Sequence, residues 1–270
     1  QRDTIYWFVT TTSGTKTDYI VSFNVETGVQ RVHLKTFNLL NFDESHLIND
    51  INLIDDLLFF TDNKNPPRRI NIKENYPEPI SGVDQTVEDD ISVIVKPPVS
   101  SPTINLVKTT KKDNYIEDKF IRFAYRYKYV NGEYSALSEF SDLAFSPGGF
   151  EVDYRNYNLK GMQNKYNSVN LTINTGPKRV VGVDVCFKVS TSNIINVIDK
   201  YNKEDEGWTD NNEVSLVFDN QKIYTTLPES ELLRLYDNVP RKAKAQTTIG
   251  NRIMYGNYVD GYDLKRDGVK

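Results

Sequence analysis

Hydrophobic and polar residues alternate over short stretches of this chain, and each stretch ends in residues that form turns. Residues 52–72 show the pattern: an apolar run ending in Leu57-Leu58-Phe59-Phe60 predicts a strand, and residues 68–72 predict a return strand. The polar stretch between them contains Pro66 and Pro67, which cannot donate to a sheet ladder, and it therefore predicts a hairpin tip. Up-and-down units of this kind form the blades of β-propellers.

The same pattern occurs upstream. Residues 4–10, 18–24 and 29–34 predict three strands, and Glu26-Thr27-Gly28 predicts the turn before the third because glycine accepts a positive φ. The second unit, residues 47–72, repeats this arrangement with a longer first strand. Two units of about 40 residues match the period of a propeller blade. A third fragment of the pattern appears at residues 251–258, and the sequence between looks like a different domain inserted into the array.

The middle of the chain predicts an antiparallel β-sandwich. In residues 120–129, Phe123, Tyr125, Tyr127 and Tyr129 fall on one face of a strand, opposite a face that carries charge, and the hairpin signal Asn131-Gly132 follows. The candidate strands are residues 103–107, 120–130, 136–145, 168–175, 182–191, 194–201 and 214–218. Seven short strands fit an immunoglobulin-like or fibronectin type III-like module, and the lack of a second cysteine favours the fibronectin-like form.

The connections complete the predicted organisation. Prolines cluster in residues 76–102 and indicate an extended connection, with residues 91–95 as one possible strand. Residues 226–237 are the one credible helix, with Pro228 in its first turn. We therefore predict an all-β chain: a partial β-propeller with an inserted immunoglobulin/fibronectin III-like β-sandwich. The predicted domains are residues 1–100 (first blades and linker), 101–228 (inserted sandwich) and 229–270 (return segment and start of the next blade).

Composition narrows the functional classes. The chain has 270 residues, enough for two domains, and its net charge of −4 argues against general nucleic-acid binding, which needs a strongly basic surface. No apolar run approaches the roughly 20 residues of a membrane span. The chain starts at Gln1 without a signal peptide, and a closed propeller needs at least about four blades. We therefore expect an excised or proteolysed fragment of a larger protein.

No constellation in the sequence predicts catalysis. There is no nucleophile elbow or phosphate loop, and Cys186, His33 and His46 are interpreted as structural or exposed residues that require no metal or cofactor. The carboxylate pairs Asp55-Asp56 and Asp89-Asp90 would point to opposite faces if each lay on a strand, so they could not act on one substrate together. The sequence predicts a protein that is not an enzyme.

Three residues are candidates for contact with a partner or ligand: Trp208, Arg68 and Arg69. Trp208 lies in the oxygen-rich loop 204–213, which could hold calcium but lacks EF-hand spacing, so a solvated acidic loop is the favoured interpretation. Trp208 itself suits either sugar stacking or, as favoured here, a cap on the sandwich edge. Arg68 and Arg69 could contact phosphate or simply occupy an exposed hairpin tip, and Lys111-Lys112 form a second small basic cluster.

Three segments together resemble a known family. They are residues 56–72, residues 127–138 (Tyr-Lys-Tyr-Val-Asn-Gly-Glu-Tyr-Ser-Ala-Leu-Ser), and residues 236–240 continued through 251–258. The sequence resembles the tail nozzle, or muzzle, proteins of short-tailed bacteriophages, particularly the crAss-like phages. Those proteins are propellers with inserted sandwich domains.

The resemblance implies a structural virion protein located in the tail. Its expected partners are other tail and portal-adaptor proteins and further copies in a homo-oligomeric, hexameric ring, through which DNA passes without specific binding. No cofactor and no catalytic residue come with this family. The alternative is a carbohydrate-binding or adhesive surface module that uses Trp208 or the Tyr-rich strand as its contact surface.

Overall fold

The computed structural model describes residues 3–12, 14–110, 113–228, 231, 239–250 and 252–260. The chain divides into two compact units. The first unit comprises Gln1–Ile94 with Asn238–Asp263, and the second comprises Val95–Asp237 with Leu264–Lys270. The structure is all-β, with 45% strand and 3% helix, and the predicted fold class is confirmed at that level. Its strands form several antiparallel sheets, none of which closes within the described residues.

The described elements occur in the following order. They are β1 (Thr4–Thr10), β2 (Asp18–Asn24), β3 (Gln30–Thr36), β4 (Asp50–Ile54), β5 (Leu57–Thr61), β6 (Arg68–Asn71), α1 (Glu88–Ile91), β7 (Thr103–Val107), β8 (Ile121–Tyr129), β9 (Val152–Asp153), β10 (Asn158–Leu159), a 3₁₀ turn (Lys160–Met162), β11 (Ser168–Asn174), β12 (Val180–Val189), β13 (Ile195–Asn202), β14 (Glu213–Phe218), β15 (Thr225–Thr226), β16 (Lys242–Ile249) and β17 (Arg252–Val259).

The first unit contains two three-stranded sheets, β1-β2-β3 and β4-β5-β6, as the repeated pattern predicts. One face of each sheet contributes to a shared core, in which the Phe8 and Phe60 rings lie 5.0 Å apart and Phe42 packs against both. Alternation of side chains in β1 supplies Tyr6 and Phe8 to this core. The two sheets therefore hold each other through an aromatic contact that neither could bury alone.

The second sheet corrects one prediction. Residues 52–60 do not form one long strand, because Asp55 has a φ of 53° and the chain turns between β4 and β5. Asp55 and Asp56 therefore lie in a tight turn, where asparagine and aspartate tolerate left-handed backbone. The polar stretch ending at Pro67 is the second connection of this sheet and joins β5 to β6.

The third fragment of the pattern belongs to the first unit. The hairpin β16–β17 lies against β4 and β5, and the Asn63 amide donates to the Ala243 carbonyl at 3.0 Å. The Gln246 amide donates to Asp50 Oδ2 at 3.1 Å. Segments almost 200 residues apart in sequence thus build one body.

The proline-rich connection is more ordered than the sequence suggests. Residues 91–95 are not a strand, because Glu88–Ile91 form a short helix in which the Asp90 carboxylate accepts the Val87 amide at 2.9 Å. Ile91 is fully buried in the core of the first unit. Asp89 and Asp90 therefore lie on a helix, and the strand argument about their faces was wrong.

The second unit contains two sheets with the orders β14-β11-β7 and β15-β13-β12-β8. Their core includes Phe123, Tyr125 and Tyr127, which share one face of β8 as predicted, together with Val185 and Phe218. At Asn131-Gly132 the chain reverses, with Gly132 at φ 82° and its amide donating to the Tyr129 carbonyl at 2.9 Å. Six of the seven predicted strands lie within two residues of their predicted bounds, the exception being the segment 136–145, while β9, β10 and β15 were not predicted.

The segment 136–145 does not form a strand. Instead, the amides of Ser135, Ser138, Ser141 and Ala144 donate to the carbonyls of Tyr127, Tyr125, Phe123 and Ile121, at 2.7–2.9 Å. The hydroxyls of Ser135, Ser138 and Ser141 accept the amides of Tyr127, Tyr125 and Phe123, at 3.0–3.1 Å. We call these three residues the serine ladder. The serine ladder covers the edge of β8. Its serines recur at every third residue of the segment and bond to every second residue of β8. The segment therefore has a period of three, whereas a strand has a period of two.

The predicted helix at 226–237 falls mostly outside the described residues. Its first residue, Thr226, instead forms β15 with Thr225, and β15 pairs with β13. Of the other residues in that segment the structure describes Leu227, Pro228 and Glu231, and Leu227 is buried. Lys111 and Lys112 also lie outside the described residues.

Candidate interaction surface

The first sheet of the first unit is apolar on both faces. Opposite its core face, Ile5, Trp7 and Val9 project from β1 and are 48%, 44% and 39% exposed. Cross-strand pairing places Tyr19, Val21 and Phe23 of β2 beside them, and Val32 of β3 beside Val21. We call these seven residues the outer face.

The outer face is held in a defined geometry. Trp7 lies beside Val21 in register, and its ring contacts Phe23 with centroids 6.4 Å apart. Strand β1 is also one of the two edge strands of its sheet among the described residues. Soluble proteins rarely expose contiguous apolar surface of this kind unless it contacts a partner. The outer face is therefore the surface of this unit best suited to association.

A bulge shapes the third strand of this sheet. Ile20 pairs with Leu34 and Val21 with Val32, which leaves His33 as the extra residue. His33 and Leu34 are consequently both buried, and His33 Nε2 lies 2.8 Å from Ser22 Oγ. Burial lowers the pKa of His33, and the neighbouring Arg31 charge lowers it further. The bulge keeps Val32 on the outer face while the imidazole stays neutral inside.

Arg68 is placed differently from the sequence interpretation. It starts β6 rather than an exposed hairpin tip, and its side chain is buried. Its Nε and Nη2 atoms donate to the two oxygens of Glu88 at 3.1 and 2.9 Å, and Nη1 donates to the Leu40 carbonyl at 2.6 Å. The guanidinium thus ties the connection after β3 to the start of α1.

Arg69 is the next residue of β6 and is half-buried. It pairs in register with Phe59 of β5. Its positive charge opposes the effect of burial on the Tyr255 hydroxyl, whose pKa is nevertheless raised to about 12. Arg68 and Arg69 therefore point to opposite faces of one strand and do not form a joint phosphate site.

Trp208 packs on the edge of the sandwich core. Its ring lies 5.4 Å from that of Tyr201, and it is half-buried. Trp208 therefore packs against the core of the second unit, and a ligand role for it stays a prediction.

The ammonium group of Lys203, the residue before the acidic loop 204–213, binds an oxygen atom of that loop. Lys203 Nζ donates to Asp210 Oδ1 at 2.6 Å and to the carbonyls of Gly176 and Pro177 at 3.2 and 3.1 Å. Among the residues that the structure describes, no three His, Cys, Asp or Glu side chains are grouped to hold a metal ion.

Two features with clear geometry were not foreseen from the sequence. The first is a buried charge cluster, in which Arg126 binds Asp184 and Glu231 and its guanidinium carbon lies 4.2 Å from the centre of the Tyr134 ring. The second is a hairpin, β9–β10, around which Phe150, Tyr154 and Tyr157 are at least four-fifths exposed. The sequence signal for the charge cluster is a charged residue on a strand otherwise rich in tyrosine. The signal for the exposed hairpin is a dense group of aromatic residues among turn residues.

Comparison with known proteins adds no identity. No protein-family model matches the chain, and no curated protein is significantly similar to it in sequence. In the part of the chain that the structure describes, no helix has the length and apolar character needed to cross a bilayer.

Proposed function

We propose that this chain is a structural virion protein, a subunit of a phage tail nozzle that extends the tail channel and holds neighbouring tail parts. It forms a homo-oligomeric ring, and DNA passes through the ring without specific binding. The observation that carries the proposal is the outer face. Its side chains offer an apolar surface, and subunits that assemble into a ring need such a surface to contact one another.

The architecture supports the same role. The first unit is built from two sheets and a hairpin that returns after the second unit in sequence, as expected for a module inserted into an array of sheets. The three segments that resemble nozzle proteins include β5 and β6, the start of the serine ladder, and β17. The net charge of −4 suits the wall of a DNA channel, since weak repulsion keeps the nucleic acid from sticking.

Light scattering coupled to size-exclusion chromatography tests the assembly role. We expect the chain, 31.1 kDa as a monomer, to show a mass that rises with concentration towards that of a closed ring. The Trp7→Lys/Val32→Lys variant places two charges on the outer face and should stay monomeric. Ile223→Lys is the matched control, because Ile223 is fully exposed on the second unit. A monomeric wild-type chain at all concentrations, or unchanged assembly of the double variant, contradicts the role of the outer face.

The place in the virion needs a separate measurement. Mass spectrometry of purified tails should find this chain in the particle in multiple copies, and gold-labelled antibody should mark the end of the tail. Absence of the chain from purified particles would overturn the proposed location whatever its oligomeric state.

A further inference from the structure

A shallow, open cleft of about 410 Å³ lies in the first unit, lined by the loop after β3 and by the segment that leads into α1. Asn38, Asn41, Thr86 and Glu88 contribute polar groups to it, and Leu39 contributes an apolar side chain. Sites for small ligands have volumes of roughly 300–1,000 Å³ and are mostly apolar. The size of this cleft is therefore that of a small-molecule site, but its lining selects a hydrogen-bonding ligand.

The wall of the cleft is fixed before any ligand arrives. The Asp84 carboxylate accepts the backbone amides of residues 37, 38 and 39 at 2.7, 2.9 and 3.1 Å. On the other side, the Leu40 carbonyl accepts Arg68 Nη1 at 2.6 Å. The loop is thus held by a carboxylate and a buried guanidinium. A preformed wall loses little conformational entropy when it binds.

One buried hydroxyl in this wall lacks a partner. Thr86 is 3% exposed, and its Oγ1 makes no hydrogen bond within the described part of the chain. A buried polar atom without a partner costs free energy, so such groups are uncommon in folded proteins. Rotation about the Thr86 side-chain bond would let this hydroxyl meet a hydroxyl of a ligand in the cleft.

The charged groups of the cleft already have hydrogen-bond partners. Arg68 is paired with both oxygens of Glu88, and the Asp84 carboxylate binds three amides. Lys64, which contacts Asn41, is paired with Asp43 at 2.6 Å. An anion would find no unpaired cation among these groups. The side-chain amide of Asn38 carries both donor and acceptor groups, and that of Asn41, whose Oδ1 already accepts Lys64 Nζ at 3.1 Å, offers its Nδ2 donor.

We propose that this cleft binds a neutral carbohydrate. Sugar hydroxyls would bond to the amides of Asn38 and Asn41 and to the Glu88 carboxylate, while the C–H surface of the ring would lie on Leu39. The Thr86 hydroxyl would gain the partner that it lacks. This site is independent of the outer face and of the assembly role.

Saturation-transfer NMR on the full chain tests the site, with the methyl glycosides of glucose, galactose, mannose and N-acetylglucosamine as probes. We expect transfer to at least one glycoside. The Asn38→Ala/Asn41→Gly variant should bind it roughly tenfold or more weakly, the loss expected for one or two hydrogen bonds. Glycine is chosen at position 41 because Asn41 has a φ of 52°. Asn49→Ala, an exposed asparagine of the same unit outside the cleft, should bind as the wild type does.

Thr86→Val separates binding from folding. Valine has nearly the shape of threonine, and the hydroxyl has no partner to lose, so the melting temperature should not fall while sugar affinity does. A lack of transfer to every glycoside in the folded wild type overturns the proposal, as does full binding by the Asn38/Asn41 variant. Displacement of a bound sugar by inorganic phosphate would assign the cleft to anions and overturn it as well. Light-scattering mass should be the same for all these variants.

Discussion

Arg126 and Asp184 face each other in register on β8 and β12, and the Nε and Nη2 atoms of the arginine both donate to Asp184 Oδ2 at 3.0 Å. Their side chains are only 7% and 3% exposed. Glu231 accepts from Nη1 of the same guanidinium, and Tyr134 covers it. A charge taken out of water to this extent is tolerated only because each side is paired.

Asp184→Asn should therefore be strongly destabilising. The substitution keeps the volume but leaves the buried guanidinium with Glu231 as its remaining counter-charge, and we expect a loss of about 3 kcal/mol in the free energy of unfolding. Urea denaturation followed by tyrosine and tryptophan fluorescence measures it. The double variant Arg126→Met/Asp184→Leu should recover much of the loss because no charge remains buried. Lys222→Ala, which breaks the exposed pair with Asp199, is the control and should unfold close to the wild type. Equal effects of Asp184→Asn and Lys222→Ala would contradict this account.

The serine ladder makes a second prediction. Each serine hydroxyl accepts a β8 amide and donates to the carbonyl of the next residue, for example Ser138 to Glu139 at 2.9 Å. Ser138→Ala leaves the buried Tyr125 amide without this acceptor, which should cost about 1–3 kcal/mol. Amide hydrogen exchange by NMR should show faster exchange at Tyr125 and little change on β12. Ser215→Ala, on an exposed position of β14, is the control. Unchanged protection of the Tyr125 amide would show that the hydroxyl is dispensable.

The sequence predicts the strands of this protein well, because the alternation of residues such as Phe123, Tyr125 and Tyr127 is imposed by burial on one face. It fails at the serine ladder, since a period of three belongs neither to a strand nor to an α-helix. It also fails at Asp55, where a left-handed residue turns the chain without glycine. The strand prediction at residues 91–95 fails for a further reason. The β-branched neighbours of Ile91 favour a strand, but capping by Asp90 and burial produce a helical turn.

The candidate surfaces were less accessible to sequence reasoning. The apolar residues of β1 predict a strand but do not reveal which of its two faces lacks a cover, since both are hydrophobic. Arg68 looks exposed beside two prolines, and only the long-range approach of Glu88 shows that it is buried. The cleft depends on contacts between residues 37–41 and 84–88, which no local pattern encodes.

The Cys186 thiol gives a third prediction. It is fully buried, and burial raises its pKa from the ordinary value of 9.0 to about 12. In the folded state the thiol stays protonated when the unfolded chain would already lose its proton. The stability of the fold is therefore complete below about pH 9 and falls as the pH rises towards 12. Cys186→Ala should show a smaller loss of stability between pH 8 and pH 10.5 than the wild type, measured by urea denaturation.

In the native wild type, a thiol reagent should modify Cys186 only as fast as the protein opens. Rapid modification at pH 8 without unfolding would contradict the buried placement.

His33 leads to the last prediction, on the acidic side. Burial, together with the Arg31 charge, holds its pKa below the ordinary value of 6.5, and Ser22 Oγ lies 2.8 Å from Nε2. The folded state thus keeps the ring neutral while the unfolded chain takes up a proton below about pH 6.5. Stability from this residue is complete above that pH and is lost as the pH falls through the lower pKa of the folded state. His33→Gln should be less stable than the wild type at pH 7.5 because the bulge loses its packing, but its stability should change less between pH 7.5 and pH 5. The chain has one other histidine, His46, which is only partly buried and lies 2.9 Å from Asp43. The matched control is therefore His46→Gln. This variant should keep the wild-type change of stability with pH, because that change comes from His33. If the slope vanishes in His46→Gln and persists in His33→Gln, the bulge does not bury a neutral imidazole.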